Sequence, residues 1–453
     1  MSKLPQTPAN SRNANLSRRR FLLGSTAAAS LYSFSGPLIL RGESPNEKVS
    51  LGFIGVGGKG ADNLNSLSNE SISSLCNIVA LCDVDEKSLN VAAAKFPNAK
   101  KYRDFRRLLE QKDIDAVVVT TPDHFHAVAA MAAMKLGKHV YCEKPLTHSI
   151  YEARQLTRAA REHKLATQMG NSGHSSEGTR QIVEWIQAGV IGAVREVHTW
   201  SNRPIWPQGI VRPTDMPPVP AGVDFVNDET APSWSIVRYE FLARGNNPPC
   251  KLIWYDGGKQ PTPELTELPA AQKLDDNGAL IIGGKGKIFY PRRSPKLLPE
   301  SLMKDFTPPP KILPRSVGHH KEWIEACKGG KPAGSNFDYA GPLTELVLLG
   351  NVALRVGRKI HWDGVNLKVL DAPEAARFIR RDYRAGSSLQ LGEPIRISPP
   401  TLSEHKARED RKESARLLAV ATAFGFIAER RKPAIFKKST KLTAPCVSVL
   451  ELN

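Results

Sequence analysis

Three consecutive residues, Glu143-Lys144-Pro145, place an acid, an amine and a rigid backbone position after a short apolar segment. That segment, residues 139–142, is typical of a buried strand. An amine beside another positive charge has a lowered pKa, and it can then exchange a proton with a substrate hydroxyl group. We therefore predict that Lys144 is catalytic, with an exposed lysine of no chemical function as the alternative.

A glycine-rich turn (Gly-Val-Gly-Gly-Lys-Gly, residues 55–60) lies between an apolar strand at residues 49–54 and a helix-forming segment at residues 61–67. In this context the first glycine allows a sharp turn, the second lets the backbone approach a pyrophosphate, and the third lets the helix pack closely on the sheet. The free N–H groups at the start of the helix attract phosphate. The pattern predicts a dinucleotide site, whereas the same glycines alone would indicate an ordinary loop. The residues of this site are Gly55, Val56, Gly57, Gly58 and Gly60.

A second apolar strand, residues 77–82, ends in Asp83-Val84-Asp85. A carboxylate at this position typically hydrogen-bonds the ribose hydroxyl groups of NAD, and it repels the 2′-phosphate of NADP. We predict that Asp83 has this role, with Asp85 as the alternative. NAD is accordingly the expected cofactor, although Lys87 nearby leaves NADP open.

The elements that position these groups alternate between strand and helix. The β-branched run at residues 115–121 predicts a buried parallel strand, which Pro122 ends. Helices are predicted at residues 127–136 and 150–163, and a further strand at residues 165–169. This alternation predicts an α/β fold with a parallel sheet, at whose carboxyl edge ligands bind.

Beyond residue 170 the pattern changes to a helix followed by several strands. An amphipathic helix contains residues 182–186 and ends at Gly189. The other predicted elements are strands at residues 195–200, 234–241, 250–255, 279–282 and 287–290, helices at residues 320–327 and 343–356, and loops at residues 246–249, 261–269 and 291–314. Their order predicts a second domain of the α+β type.

Two motifs carry a resemblance to a known family: residues 121–126 (Thr-Pro-Asp-His-Phe-His) and residues 137–146, which contain the Glu-Lys-Pro step. With the glycine turn they resemble the signature of the glucose-fructose oxidoreductase, inositol dehydrogenase and rhizopine-catabolism (Gfo/Idh/MocA) family, from about Val49 to Leu389. The resemblance implies an N-terminal Rossmann domain at residues 48–170. It also implies an α+β domain with an open, mainly antiparallel sheet at residues 171–389.

The same resemblance implies the chemistry, which is hydride transfer between NAD and a sugar or cyclitol. Lys144 corresponds to the family's active-site lysine, and Thr121, His126 and Glu143 are placed at the cofactor. A second enzyme class within the resemblance is a redox-neutral glycoside hydrolase. There, bound NAD oxidises a sugar transiently so that the glycosidic substituent is eliminated, which is an exception to hydrolysis by two carboxylates.

The part of the chain beyond the strand at residues 165–169 contains four candidate substrate ligands. Asn171 and His174 follow that strand directly, and Arg203 is suited to bind a hydroxyl or carboxylate group. Trp206 offers a flat surface on which a sugar stacks. A structural role is the alternative for His174 and for Trp206, which lies beside prolines.

One feature of the family is missing from this chain. Members commonly carry a Gly-Asp step in the second domain, with a histidine four residues after the aspartate, as further acid/base groups. The sequence has no Gly-Asp dipeptide, and the candidate substitutes are Asp224, Asp228 and His320. A general acid or base contributes about 10²–10⁴-fold to the rate. Its loss therefore leaves a third hypothesis, a dinucleotide-binding protein without activity.

Both ends of the chain lie outside the resemblance. Residues 17–22 (Ser-Arg-Arg-Arg-Phe-Leu) and the interrupted apolar run after them resemble a twin-arginine export signal, with a disordered basic tail as the alternative. We assign residues 1–45 to this signal and a linker, and we expect a periplasmic protein without a stable membrane span. Residues 390–453 are a basic tail of unassigned role, in which residues 415–427 are suited to a helix.

The 453-residue chain has a formal net charge of +18. Much of this excess lies at the ends, since residues 1–50 hold seven Lys/Arg against two Glu, and residues 390–453 hold twelve against seven acidic residues. No compact basic run with interleaved aromatic residues occurs elsewhere, so the expected partner is a small sugar or polyol and not a nucleic acid. The six scattered cysteines predict buried apolar side chains rather than disulfides or a metal site. A homo-oligomer is left open.

Overall fold

The first sheet of the protein is parallel and has six strands in the order β3-β2-β1-β4-β5-β6. The strands are β1 (Val49–Ile54), β2 (Cys76–Cys82), β3 (Lys100–Tyr102), β4 (Ala116–Val119), β5 (His139–Cys142) and β6 (Thr167–Met169). The strand order reverses between β1 and β4, and α/β sheets of this kind bind ligands at such a reversal. The computed structural model describes residues 48–203, 234–268, 273–291 and 294–383, and the backbone of residues 446–452.

Helices connect the strands of the first sheet and cover both of its faces. They are α1 (Lys59–Leu67), α2 (Glu86–Lys95), α3 (Phe105–Leu109), α4 (Asp123–Lys135) and α5 (Ile150–Glu162). The start of α5 is a capping box, in which Ser149 accepts from the Glu152 N–H and the Glu152 carboxylate accepts from the Ser149 N–H. The predicted parallel α/β sheet is confirmed.

The second sheet has nine strands in the order β12-β11-β10-β7-β9-β8-β15-β13-β14. The strands are β7 (Val194–Trp200), β8 (Ser235–Phe241), β9 (Cys250–Tyr255), β10 (Gly278–Gly283), β11 (Lys287–Tyr290), β12 (Lys296–Leu298), β13 (Ile360–Asp363), β14 (Lys368–Val369) and β15 (Cys446–Leu452). Only β7 and β9 pair in parallel among these described strands, and the other pairs are antiparallel. The expectation of a mainly antiparallel second sheet is confirmed.

One long helix belongs to the hydrophobic cores of both sheets. The remaining helices are α6 (Glu177–Gln187), α7 (Pro263–Thr266), α8 (Ser301–Lys304), α9 (His319–Cys327), α10 (Phe337–Val356) and α11 (Ala376–Ile379). Phe337 and Leu343, on α10, lie in a core with residues of β4 and α5. Leu348 and Val352, further along α10, lie in a core with residues of the second sheet and α6.

Helix α10 begins at Phe337, six residues before the predicted start, and this corrects the sequence-based boundary. A proline inside a helix removes one hydrogen bond, so the pattern predicted a start after Pro342. The side chain of Asn336 caps the first turn, and Gly341 packs against Thr157 of α5 so closely that a Cβ would overlap with the threonine hydroxyl group. This packing stabilises the turn that propensity alone disfavours.

Two segments predicted as loops contain short elements. Helix α7 lies within residues 261–269, and β12 and α8 lie within residues 291–314. Pro263 is compatible with helix α7 because it lies in the first turn, where its missing N–H has no helical partner. Strand β12 forms because Leu297 and Leu298 are buried beside β11.

Strand β15 is contributed by residues 446–452, for which the sequence predicts no element. It lies between β8 and β13 and is antiparallel to both. The basic tail at residues 390–453 therefore includes one strand of the second sheet. The helix expected at residues 415–427 lies outside the described residues.

No helix in the described ranges is long and apolar enough to cross a membrane. Five of the six cysteines have described side chains, and all five are buried and free, which confirms the expected burial at these positions: Cys76, Cys82, Cys142, Cys250 and Cys327.

Candidate active site

The carboxyl ends of β1, β4, β5 and β6 lie along one edge of the first sheet, because these strands are parallel neighbours. The glycine turn follows β1, Thr121 follows β4, Lys144 follows β5 and Asn171 follows β6. Since Cys142 of β5 pairs with Met169 of β6, Lys144 and Asn171 each lie two residues beyond the paired positions. The fold thus brings together cofactor and catalytic candidates that are far apart in sequence.

The glycine turn has the shape that a dinucleotide phosphate requires. Gly55 has a φ of +88°, and a Cβ there would overlap with the Thr120 carbonyl group. A Cβ on Gly60 would overlap with the Gly55 carbonyl oxygen, which would keep α1 away from β1. At Gly58 no described atom lies within 4 Å of the Cβ position, so the turn is open where α1 begins. These residues fit the cofactor's pyrophosphate at the N-terminal end of the helix.

Asp83 lies beside this turn and hydrogen-bonds it. Its Oδ2 accepts from the N–H groups of Val56 at 2.8 Å and Gly57 at 3.3 Å. Its Oδ1 accepts from the Asp85 N–H at 3.0 Å. Because a carboxylate has about four acceptor positions, Asp83 retains capacity for a ribose hydroxyl group.

Asp85, the alternative ribose ligand, caps α2. Its carboxylate accepts from the Lys87 N–H at 3.1 Å and from the Ser88 N–H at 3.2 Å. The Ser88 hydroxyl group also donates to it at 2.5 Å, and these hydrogen bonds, chiefly that of the hydroxyl group, hold the pKa of Asp85 below its usual value. The cap explains Asp85 without a ligand, so the geometry favours Asp83 for the ribose.

Glu143 is a buried carboxylate with neutral hydrogen-bond donors. It is 3% exposed. Its Oε1 accepts from Asn63 Nδ2 at 3.1 Å, and its Oε2 accepts from the Lys144 N–H at 3.1 Å. The group packs on Gly170, where any Cβ would overlap with the carboxylate. Glu143 is therefore fixed between α1 and the ends of β5 and β6.

Lys144 presents its amine to solvent at the carboxyl edge of the first sheet. The residue is exposed and precedes a cis peptide bond to Pro145. Its Nζ forms no hydrogen bond or ion pair with the residues that the structure describes. The amine is consequently free to contact a substrate.

His126 holds the backbone around Lys144. Its ring is buried, with Nδ1 2.7 Å from the Pro145 carbonyl oxygen and Nε2 2.8 Å from the Thr121 carbonyl oxygen. Both ring nitrogens thus contact main-chain carbonyl groups, and the placement of His126 at the cofactor stays a prediction. The Thr121 hydroxyl group is buried without a hydrogen-bond partner in the described part of the chain, which fits a cofactor ligand.

Two residues near Glu143 come from other parts of the chain. Asn63 of α1 is fully buried, and its Oδ1 lies 3.1 Å from Nε2 of His320, the second residue of α9. Sequence reasoning missed Asn63, whose only signal is its position one turn beyond the glycines. His320 was proposed as an acid/base substitute, and the structure places it beside Asn63 and stacked on Tyr141, with ring centroids 5.1 Å apart.

His320 has an unusually low pKa. Burial lowers it to about 4, with smaller contributions from His319 and Lys59. The imidazole ring is therefore neutral at pH 7, and it carries one N–H.

The substrate candidates are divided between the edge of the first sheet and other positions. Asn171 lies at the edge, and its side-chain carbonyl oxygen is buried without a partner among described residues. His174 is buried with its ring 4.8 Å from that of Tyr339, which favours packing. Arg203 follows β7 and is exposed.

Three further candidates cannot be placed at the site. Trp206, Asp224 and Asp228 lie outside the described residues, so their proposed roles stay predictions.

Comparison with known families finds a match for the segment that forms the first sheet. Residues 49–171 match the model of the "Oxidoreductase family, NAD-binding Rossmann fold". These residues are similar to the Gfo/Idh/MocA family. The match confirms the family and the NAD-binding fold expected from the motifs, over the part of the chain that contains the glycine turn and the Glu-Lys-Pro step.

The chain is similar to curated proteins over about a third of its length. It is 32% identical over 152 residues to "Inositol 2-dehydrogenase" of Salmonella typhimurium, which covers 33% of this chain and 45% of that protein. It is 33% identical over 162 residues to "Glycosyl hydrolase family 109 protein" of Solibacter usitatus, covering 33% of this chain and 36% of that protein. The chain thus spans less than half the length of these relatives.

A solved structure similar to the chain is that of myo-inositol dehydrogenase from Lactobacillus casei in complex with NAD(H) and myo-inositol. It has a TM-score of 0.45 and 16% sequence identity, covering 72% of this chain and 96% of that chain.

The carboxylate of Asp83 should set the preference between the two cofactors. Asp83→Asn keeps an acceptor for the Val56 N–H but removes the charge that repels a 2′-phosphate. We expect affinity for NADP relative to NAD to rise about tenfold, as measured by titration calorimetry. Asp85→Asn is the matched control and should leave the ratio unchanged. Equal affinity of the unmodified protein for both cofactors would contradict the assignment.

Partly buried His320 should make stability depend on pH. Its pKa is about 4 in the folded protein against 6.5 for an unperturbed histidine, so the unfolded chain binds the proton first as the pH falls. The stability contributed by the neutral ring is complete above about pH 6.5 and is lost toward pH 4, up to about 3 kcal/mol.

Urea unfolding at several pH values between 4 and 7 measures this effect. His320→Gln should reduce the dependence, to which His139, His148 and His319 also contribute because burial lowers their pKa values, and exposed His163→Gln should leave it unchanged. An unchanged slope in His320→Gln would show that another group is responsible.

Proposed function

We propose that the protein is an NAD-dependent oxidoreductase that acts on a sugar or cyclitol. The observation that carries this proposal is the unpaired amine of Lys144 at the sheet edge where the glycine turn lies. The family match of residues 49–171 and similarity to an inositol 2-dehydrogenase support it.

The cofactor contacts in this proposal come from four strand ends. The turn at residues 55–60 holds the pyrophosphate, Asp83 binds the adenosine ribose, and Thr121 and Glu143 line the nicotinamide end. When bound, NAD supplies the hydride acceptor. His126 keeps the loop of Lys144 against the end of β4 through its contacts with the Pro145 and Thr121 carbonyl groups.

Lys144 takes the hydroxyl proton as the substrate is oxidised. A neutral amine is required for this step, and a positive charge close to an amine favours its neutral form. Asn171 lies beside Lys144 at the edge and offers its buried side-chain oxygen to a second hydroxyl group. Vicinal hydroxyl groups of a sugar or cyclitol would match this pair of contacts.

A redox-neutral glycoside hydrolase is the second candidate, and similarity to a glycosyl hydrolase family 109 protein favours it. The same Lys144 and the same cofactor contacts would serve the transient oxidation. The third candidate is a non-catalytic dinucleotide-binding protein, and the absence of a Gly-Asp dipeptide supports it. A homo-oligomer remains a proposal, which sedimentation analysis measures.

Replacement of Lys144 tests its role in both enzyme activities, and the choice of substrate separates the two. Lys144→Met should lower turnover at least about 10²-fold, because the proton acceptor is lost, while the dissociation constant for NAD stays unchanged. Reduction of NAD with a panel of polyols, myo-inositol among them, and release of nitrophenol from nitrophenyl glycosides measure the two enzyme activities. Lys112→Met is the matched control, because this exposed lysine lies at the amino-terminal end of β4, at the opposite edge.

Full activity of Lys144→Met would overturn the lysine assignment for either enzyme class. An unmodified protein that binds NAD but shows neither activity would favour the non-catalytic binding protein.

We also propose that the protein is exported to the periplasm by the twin-arginine route. Residues 1–45, which carry the proposed signal, lie outside the described residues. This route transports folded proteins, so the dinucleotide is bound in the cytoplasm before export.

The paired arginines provide the test of export. Replacing Arg18 and Arg19 by Lys should keep the protein in the cytoplasm, as measured by cell fractionation and immunoblotting. Arg12→Lys is the control and should be exported normally. Normal export of the doubly substituted protein would show that residues 17–22 are not the signal.

A further inference from the structure

We propose that His320 and Asn63 are positioning residues that orient the Glu143 carboxylate and, through it, the loop that carries Lys144. The inference rests on the proposed function in so far as it takes Glu143 to contact the cofactor. It assigns His320 a role other than the missing general acid or base.

The first step of the argument is the environment of Glu143. A carboxylate at 3% exposure is costly unless it is compensated. No Lys or Arg among the described residues forms an ion pair with it. Its donors are the side-chain amide of Asn63 and the N–H of Lys144, both at 3.1 Å. The Asn63 amide is thus the one side chain of the described part that donates to this charge.

The second step fixes the orientation of Asn63. An ionised carboxylate only accepts hydrogen bonds, so the NH₂ group of Asn63 must face Glu143. The same NH₂ group lies 3.3 Å from the Thr120 hydroxyl oxygen. The carbonyl oxygen Oδ1 is then left to face His320.

The third step fixes the tautomer of His320. Oδ1 of Asn63 only accepts, and it lies 3.1 Å from Nε2 of His320. Because the ring is neutral and has one N–H, that hydrogen must be on Nε2. Stacking on Tyr141, with an interplanar angle of 16°, fixes the plane of the ring. A chain of donors therefore runs from α9 through α1 to the end of β5.

The last step connects this chain to the catalytic amine. Glu143 Oε2 accepts from the backbone N–H of Lys144, so the carboxylate fixes the backbone from which the Lys144 side chain extends. If the His320 N–H is removed, Asn63 Oδ1 loses its donor, and the amide that donates to Glu143 is held less firmly. A positioning role thus predicts that a His320 substitution weakens NAD binding only while Glu143 is present.

The test combines substitutions with two measurements on the full-length protein. His320→Phe keeps the stack on Tyr141 and removes the N–H. His320→Gln places an amide N–H near the position of Nε2 and serves as the conservative rescue. We expect His320→Phe to weaken NAD binding about tenfold and to lower kcat with any substrate found, and His320→Gln to restore most of both. His163→Phe is the control for an exposed histidine.

A double-mutant cycle with Glu143→Gln decides whether His320 acts through Glu143. We expect His320→Phe to have no further effect on NAD affinity in the Glu143→Gln background. Additive losses, or a loss that His320→Gln does not restore, would overturn the proposal and indicate a structural role only. Because NAD affinity is measured without a substrate, failure of every polyol and glycoside would reject the proposed function without deciding this cycle.

A spectroscopic readout tests the donor chain even without cofactor binding. Long-range ¹H–¹⁵N correlation spectra of protein labelled at histidine should show Nε2 of His320 protonated and Nδ1 unprotonated at pH 7. Asn63→Leu should shift the Nε2 signal and leave that of His163 unchanged. Protonation on Nδ1 in the unmodified protein would contradict the chain.

Discussion

The packing of α10 on α5 is the interaction on which the relative arrangement of the two sheets depends. Gly341 of α10 lies directly against Thr157 of α5. One turn further along, Glu345 pairs with Arg154 of α5, with Arg154 Nη2 to Glu345 Oε1 at 2.6 Å, and accepts from the Trp362 indole N–H of β13 at 3.0 Å. Since one rigid helix has residues in both cores, neither sheet can shift without disturbing the other. Helix α9, just before α10, contributes Trp323 and Ile324 to a core with residues of β1 and α1.

The site shows how a nucleotide-binding sheet receives support from a distant segment. Its strand ends supply the glycine turn, Asp83 and Lys144, all from the first 171 residues. The buried acid at the centre is nevertheless oriented by an amide whose own partner is His320. Neutral donors hold this carboxylate, and no Lys or Arg among the described residues forms an ion pair with it.

The sequence predicted the parts of this arrangement that depend on local pattern. The β-branched run before Thr121 and the glycines at 55–60 predict buried parallel strands and a phosphate turn, because backbone sterics and burial determine both. The Asn63–His320 contact joins residues that are 257 positions apart. Local sequence patterns cannot predict a contact between segments so far apart. The early start of α10 was also missed, since packing at Gly341 outweighs the intrinsic cost of Pro342. Asp83 and Asp85 became distinguishable only when the cap of α2 was seen.

Because of strand β15, the two sheets are completed at different times during synthesis on the ribosome. The first sheet is complete once residue 169 has emerged, so its nucleotide-binding edge can form early. The second sheet must wait until residues 446–452 arrive, because they fill the gap between β8 and β13. Until then both neighbours present unpaired N–H and C=O groups, which invite pairing with other chains. While the C-terminal region is being synthesised, the first sheet is therefore complete, and the second sheet has unpaired strands that are prone to aggregation.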